Sequence, residues 1–95
     1  MRVISRKALK QFAAKHPDAH APLDQWYRIT RKADWGNLID AQRDFNHAEA
    51  VGRLTVLNIK GNTYRLIARV NYRTKRVFIR HIMTHAEYMK GAWKE

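Results

Sequence analysis

The chain has 95 residues, 45% of them hydrophobic and 28% charged, a length that suits one small domain and excludes large multi-domain catalysis. Nineteen Lys and Arg against eight Asp and Glu give a formal net charge of +11, which points to a polyanionic partner: nucleic acid, an anionic membrane surface or an acidic protein. The absence of cysteine rules out disulfide frameworks, thiolate metal sites and cysteine nucleophiles.

Arg2 to Ile4 predicts a short opening strand, and Ser5 is placed to cap a helix running to about Lys15, with Leu9, Phe12 and Ala13 on one apolar stripe. The basic start leads into this amphipathic stretch, whereas a secretory signal has a continuous apolar run. No window approaches the roughly 20 apolar residues needed to span a bilayer. The chain therefore reads as cytoplasmic, with no membrane partner. Pro17 disfavours helix at His16 and ends the first helix. A second helix begins near Pro22, with Leu23, Trp26, Tyr27 and Thr30 on its buried face, so the pair suggests a helical hairpin. From Trp35 to Ala50 the pattern weakens, although Asn37 or Asp40 suits the cap of a short helical piece packed through Leu38, Ile39 and Phe45.

From Arg53 the period changes to two, and Arg53 to Ile59, Thr63 to Tyr72 and Arg76 to Thr84 read as three strands. Gly61-Asn62 is a two-residue hairpin signal with glycine first, and Arg73-Thr74-Lys75 lies in the second turn. His85 to Lys94 keeps helical character. The expected architecture is α+β: residues 1–95 form a single domain, with two or three N-terminal helices packed on one face of a small antiparallel sheet and a short C-terminal helix.

Strand parity assigns the charges. In Thr63 to Tyr72 the even positions Tyr64, Leu66, Ala68, Val70 and Tyr72 form an apolar row that faces the helices, which leaves Arg65, Ile67 and Arg69 on the other face. A four-residue turn after Tyr72 sets Tyr72 against Val77, Val70 against Ile79 and Ala68 against His81; on the opposite side it places Arg69 against Arg80 and Arg65 near Thr84. Across Gly61-Asn62, Asn58 falls beside Arg65 and Lys60 beside Thr63. One face thus collects Asn58, Lys60, Arg65, Arg69 and Arg80. Like charges directly opposite one another destabilise a sheet. Long guanidinium stems can splay into water over Val56, Ile67, Phe78 and Ile82. Yet residues 51 to 95 carry ten basic and two acidic side chains, a net of +8 against +3 in residues 1 to 50, so the set as a whole points to an anion site in the second half.

The run Asn58-Ile59-Lys60-Gly61-Asn62-Thr63-Tyr64-Arg65-Leu66-Ile67, followed by Val77-Phe78-Ile79-Arg80 and Thr84-His85-Ala86-Glu87-Tyr88, resembles the HigB branch of the RelE/ParE toxin superfamily. The opening strand leading into Arg6-Lys7-Ala8-Leu9 is also similar. The resemblance implies a ribosome-dependent messenger RNA endonuclease, the toxin of a bacterial toxin–antitoxin pair, with helices on one sheet face and RNA on the other. It implies metal-free, cofactor-free attack of the ribose 2′-OH on the adjacent phosphate. The implied partners are mRNA on the ribosome, ribosomal RNA and a cognate HigA-like, DNA-binding antitoxin.

Within that frame Arg65 and Arg80 suit a pentacoordinate phosphate, with Lys60, Arg69, Lys75, Arg76 and Asn58 binding RNA around it. His85 suits proton transfer, and Tyr88, three residues on, suits orienting the nucleophile or stacking on a base. Taken alone, His85 is an ordinary helix-cap or surface residue and Tyr88 an ordinary packing residue. His81 shares parity with Val77 and Ile79 and is expected to be a partly buried structural histidine. His16, His20 and His47 lack metal-ligand spacing. Two other readings stay open: a toxin of the same fold that acts by binding a protein such as gyrase, and an RNA-binding module without cleavage.

Overall fold

The computed structural model describes residues 1–94, and its helical half follows the apolar stripes. After strand β1 (Arg2–Ile4), helix α1 (Arg6–Lys15) buries Leu9 and Ala13. A 3₁₀ turn over Pro17–Ala19 leads into α2 (His20–Lys32), which buries Leu23, Trp26 and Thr30. Helix α3 (Leu38–Asp44) is capped by Asn37, whose side-chain oxygen accepts a hydrogen bond from Asp40 N–H at 3.0 Å. It packs through Ala41, and the expected packing residue Ile39 is instead 62% exposed. In so short a helix Ala41 and Ile39, two positions apart, point in nearly opposite directions.

Four further strands complete a five-stranded sheet: β2 (Glu49–Val51), β3 (Leu54–Ile59), β4 (Tyr64–Asn71) and β5 (Arg76–Thr84), in the order β1-β5-β4-β3-β2, before the short helix α4 (His85–Lys90). All neighbours are antiparallel except β1, which joins β5 as a parallel edge with Arg2 opposite Arg76. The helices cover the face that carries Leu57, Ile59, Tyr64, Leu66, Ala68 and Val77. Burying a side chain such as Leu23 or Leu66 there contributes roughly 1.5–3 kcal/mol.

The first hairpin has the expected register: Asn58 pairs with Arg65, Lys60 C=O accepts from Thr63 N–H at 3.1 Å, and Gly61 takes a φ of +61° that favours glycine. The second does not. Its turn spans Tyr72 to Lys75, held by Thr74 N–H donating to the Asn71 side chain at 3.0 Å, and Lys75 has φ of 60°. Val70 therefore pairs with Val77, Ala68 with Ile79 and Arg69 with Phe78, so the expected Arg69–Arg80, Val70–Ile79 and Tyr72–Val77 pairs do not form. A bulge then makes Arg80 the extra residue of β5 and sets Ile67 opposite His81 and Arg65 opposite Met83. The bulge has a physical logic. Uninterrupted alternation from Val77 and Ile79 would bury His81 and expose Ile82; the extra residue turns Ile82 into the helix-facing core and His81 out to solvent.

Candidate active site

On the face away from α1 and α2 the sheet is not bare. Leu54, Val56 and Ile67 form a second apolar cluster with Trp93, flanked by Met83 and Tyr88. The sequence makes this lid locally. Thr84 caps α4 through a reciprocal capping box with Glu87, and Gly91, at φ of +75°, ends the helix in a left-handed turn that sends Trp93 back onto the sheet. Trp93 Nε1–H donates to Tyr88 C=O at 2.8 Å, and the two rings stack at 5.0 Å and 11°.

Arg65 sits beneath this lid, only 8% exposed. Its guanidinium donates to Asn62 C=O at 3.1 Å, to the Asn62 side-chain oxygen at 3.1 Å and to Tyr64 C=O at 3.3 Å, and its central carbon lies 5.1 Å from the Tyr88 ring centre. A parallel indole and a guanidinium cannot share one face of a phenol, so Trp93 and Arg65 cover opposite faces. Tyr88 is thereby left with its ring edge and hydroxyl rather than a face for a stacked base. His85 opens α4 as an exposed side chain, and its backbone N–H donates to Thr63 C=O at 3.1 Å, which docks the helix start on the β3–β4 hairpin.

Lys60, at the same end, pairs with Asp18 at 2.8 Å, and Asp18 also accepts from Tyr64 O–H at 2.6 Å. The bonds from Lys60 and Tyr64 hold the Asp18 carboxyl below the usual carboxylate range, while the bond to Asp18 raises the Tyr64 phenol. His16 stacks on Phe12 at 4.4 Å beside Tyr64.

The structure thus brings together Asn58, Arg65, His85 and Tyr88, whereas Lys60, expected on the same face, turns its ammonium to Asp18 beside Tyr64 of the helix-facing core, and the other basic residues lie apart. Arg69 is exposed opposite Phe78, and Arg76 pairs with Asn71, six residues along β4 from Arg65, or about 20 Å away. Lys75 is tethered there, donating to Trp35 C=O at 2.9 Å and pairing with Asp34 at 3.1 Å. Arg80, on the bulge, faces a groove shared with Phe12 and Lys15 of α1. His81, expected to be partly buried, is exposed on the far face in a recess with Met83, Glu87 and Trp93.

Sequence reasoning missed two residues. Trp93, through its stack on Tyr88, was unreadable without the turn at Gly91. His47 projects from the loop before β2, and its Nδ1 accepts from Asn58 N–H at 3.1 Å, taking the ladder position that β2 leaves empty. Burial and then the neighbouring Arg65 cation hold its imidazole below the ordinary histidine range. The unrecognised strand β2 hid this approach.

Comparison with known proteins gives a consistent picture. Residues 19–91 match the family model described as HigB_toxin, RelE-like toxic component of a toxin-antitoxin system. The chain is similar to the mRNA interferase HigB of Escherichia coli O6:H1, 31% identical over 93 residues that cover 95% of this chain and 90% of the relative. It is 29% identical over 91 residues to the mRNA interferase toxin HigB of Escherichia coli K12, covering 93% and 88%. The mRNA interferase HigB of Shigella flexneri matches to the same extent.

Proposed function

We propose, because the chain belongs to the HigB family of RelE-like toxic components of toxin–antitoxin systems, that it cleaves messenger RNA on the ribosome without a metal ion. It is an mRNA-cleaving toxin, an endoribonuclease, and an antitoxin is its partner. No helix among the described residues is long and apolar enough to cross a membrane.

The observation that supports a site at the hairpin end is the joining of Arg65, Tyr88 and the start of α4 on the sheet face that the N-terminal helices leave open. In the proposed step the ribose 2′-hydroxyl attacks the adjacent phosphorus and the bond to the 5′ oxygen breaks, giving a 2′,3′-cyclic phosphate and a 5′-hydroxyl. Negative charge gathers on the phosphoryl oxygens, where a pre-oriented guanidinium at Arg65 strengthens its hold as the transition state forms. His85, solvent-exposed beside the hairpin, moves a proton at the 2′ or 5′ oxygen. Tyr88 positions Arg65 and offers its hydroxyl to the nucleophile. Asn58 and Lys60 bind the strand next to this phosphate. Arg80, displaced from the Arg65 row by the bulge, grips a neighbouring phosphate. Arg69, about 13 Å along β4, and Lys75 and Arg76, about 20 Å away, supply charge toward ribosomal RNA. A HigA-like, DNA-binding antitoxin masks this surface in the cytoplasm.

The test compares naked RNA with translating ribosomes carrying the same message, with cut sites mapped by primer extension. The expected result is codon-phased cleavage on ribosomes and slow or no cleavage of free RNA. Efficient, unphased cutting of free RNA at physiological salt overturns ribosome dependence; absence of any cutting overturns the nuclease.

A further inference from the structure

Strand β1 is held to the sheet by three pairs: Arg2 with Arg76, Val3 with Val77 and Ile4 with Phe78. Arg2 N–H donates to Lys75 C=O at 2.7 Å. Val3 and Val77 face the helix-covered core, so Arg2 and Arg76 project together from the opposite face, side by side at the spacing of neighbouring strands, roughly 4.8 Å. On the other side of Arg76 lies its partner Asn71. Arg69, two residues before Asn71 on that same face, is the diagonal neighbour of Arg76, about 7–8 Å away.

All three arginines are exposed. The ion pairs among the described residues go to Arg28, Arg43, Lys60 and Lys75 instead, and Arg2, Arg69 and Arg76 have no ion-pair or hydrogen-bond partner for their guanidinium groups among those residues. Asp34, an acid at this end of the molecule, is taken by Lys75 at 3.1 Å. Like charges side by side oppose strand pairing, and here they sit on a joint of three pairs. Long stems that splay into water soften the cost, and charge on an edge strand deters pairing with other chains. Neither accounts for Arg69, which stands on an interior strand with no edge to guard.

We propose that Arg2, Arg76 and Arg69 form a phosphate-binding site for the backbone of an RNA strand, and that filling it fastens β1 to the sheet. The planar forks of arginine match phosphate oxygens. A lone carboxylate is satisfied by one fork, whereas consecutive phosphates of a strand supply charge for all three. An anion between Arg2 and Arg76 replaces their repulsion with an attraction that both strands share, so the joint is weak in the free protein and firm in the bound one. Space is open for a strand to run on: Arg2 also borders a recess of about 580 Å³ with Arg31 of α2, Thr74 and Lys75. The inference rests on the reading of the chain as a toxin that acts on RNA for the source of the phosphate, and on no role of Arg65, which lies about 20 Å away along β4.

The test titrates the full chain, at constant ionic strength, with a hexauridylate whose riboses are 2′-O-methylated and so cannot attack, with inorganic phosphate and with hexaglutamate. Melting temperature and hydrogen exchange of the β1 amides are read in each. The hexauridylate is expected to raise the melting temperature and slow β1 exchange saturably, at lower concentration than inorganic phosphate. Arg2→Gln and Arg76→Gln are each expected to weaken its binding about 2- to 5-fold, the worth of one exposed ion pair. Without any anion both variants are expected to melt no lower than wild type, because each removes the repulsion. Arg28→Gln, whose guanidinium is paired with Asp24 on α2, is expected to leave the response unchanged. No saturable response overturns the site, and so does one that survives undiminished in both variants. Variants that melt lower than wild type without anion overturn the coupling to β1. An equal response to hexaglutamate gives the face to an acidic protein segment, and equal potency of inorganic phosphate makes it a free-anion site; either overturns the assignment to RNA. If the chain cuts mRNA on ribosomes while β1 stays unprotected, the phosphate site fails alone. If β1 is protected as expected and no mRNA is cut, the nuclease reading fails and the phosphate site stands.

Discussion

The Arg65 guanidinium carbon lies 5.1 Å from the centre of the Tyr88 ring while the same guanidinium is bonded to Asn62 in the hairpin that precedes β4. One side chain therefore links the β3–β4 turn to the terminal helix. A desolvated cation–π contact contributes up to about 2 kcal/mol, and hydrogen bonds from a charged donor about 1.5–3 kcal/mol.

Arg65→Ala should lower stability by roughly 1–3 kcal/mol and reduce cleavage about 10²-fold or more. Arg65→Lys keeps the charge but loses the planar fork that reaches Asn62 and the stack on Tyr88, so it should bind ribosomes like wild type and still cleave slowly. Tyr88→Phe keeps the stack, and its melting temperature should stay unchanged while cleavage slows. Thermal melts beside single-turnover cleavage on saturated ribosomes check all three; wild-type cleavage by Arg65→Lys argues against a shaped guanidinium site.

His85→Ala should cost about 10² to 10⁴-fold in the same single-turnover assay without changing the melting temperature, because Thr84 and Glu87 cap α4 without help from His85. A wild-type rate removes His85 from proton transfer. Arg80→Ala should weaken ribosome binding more than it slows the saturated reaction, in keeping with a grip on a neighbouring phosphate. His81→Ala serves as a contrast: since His81 is exposed, its stability should stay within about 0.5 kcal/mol of wild type.

Asp18 occupies Lys60 in a partly exposed ion pair. Asp18→Asn should release Lys60 to the polyanion and steepen the dependence of ribosome affinity on salt by close to one ion. Equilibrium binding at several salt concentrations reads the slope. A slope unchanged from wild type shows that Lys60 does not reach RNA.

Acid should destabilise the protein through the groups whose folded-state pKa is depressed. Asp18 is held low by Lys60 and Tyr64, and Glu87 by its bonds to Thr84. A carboxyl lowered on folding adds stability above its unfolded value, 3.8 for Asp18 and 4.5 for Glu87, and that stability is lost as pH falls through the folded value. Melting temperature should therefore drop below about pH 4.5, less steeply in Thr84→Ala. His47 obeys the same sign, since its lowered pKa favours the neutral ring: its contribution is complete above the ordinary histidine value of 6.5 and fades as pH falls through the folded value. An NMR titration should place the His47 midpoint below 6.5, and a midpoint above it contradicts the Asn58 contact.

The helices, the three long strands and the inward row of β4 were legible because each rests on local periodicity, which Leu23, Trp26, Leu66 and Ala68 obey. The second turn was not. Its register depends on where Asn71 closes the loop, and a shift there moves every pair of β4 and β5. The bulge at Arg80 answers a conflict between Val77, Ile79 and Ile82 that only the assembled sheet exposes. For the same reason the sequence marked Arg65, His85 and Tyr88 as a group, yet not the lid at Trp93 or the approach of His47. Both come from chain returns made by Gly91 and by the unread strand β2.

The pairing of Arg2 with Arg76 joins the first strand to the last across 74 positions of the chain. Closing so long a loop costs entropy before any ladder bond is made, so the hairpins of β3, β4 and β5 order first and β1 docks late. Until it does, the outer edge of β5 beside Val77 is an open template for any extended segment. The interval between synthesis and docking of β1 is thus when this protein is most exposed to strand exchange with another copy of itself, and the amides of β1 should be the first of the sheet to exchange with solvent in the native state.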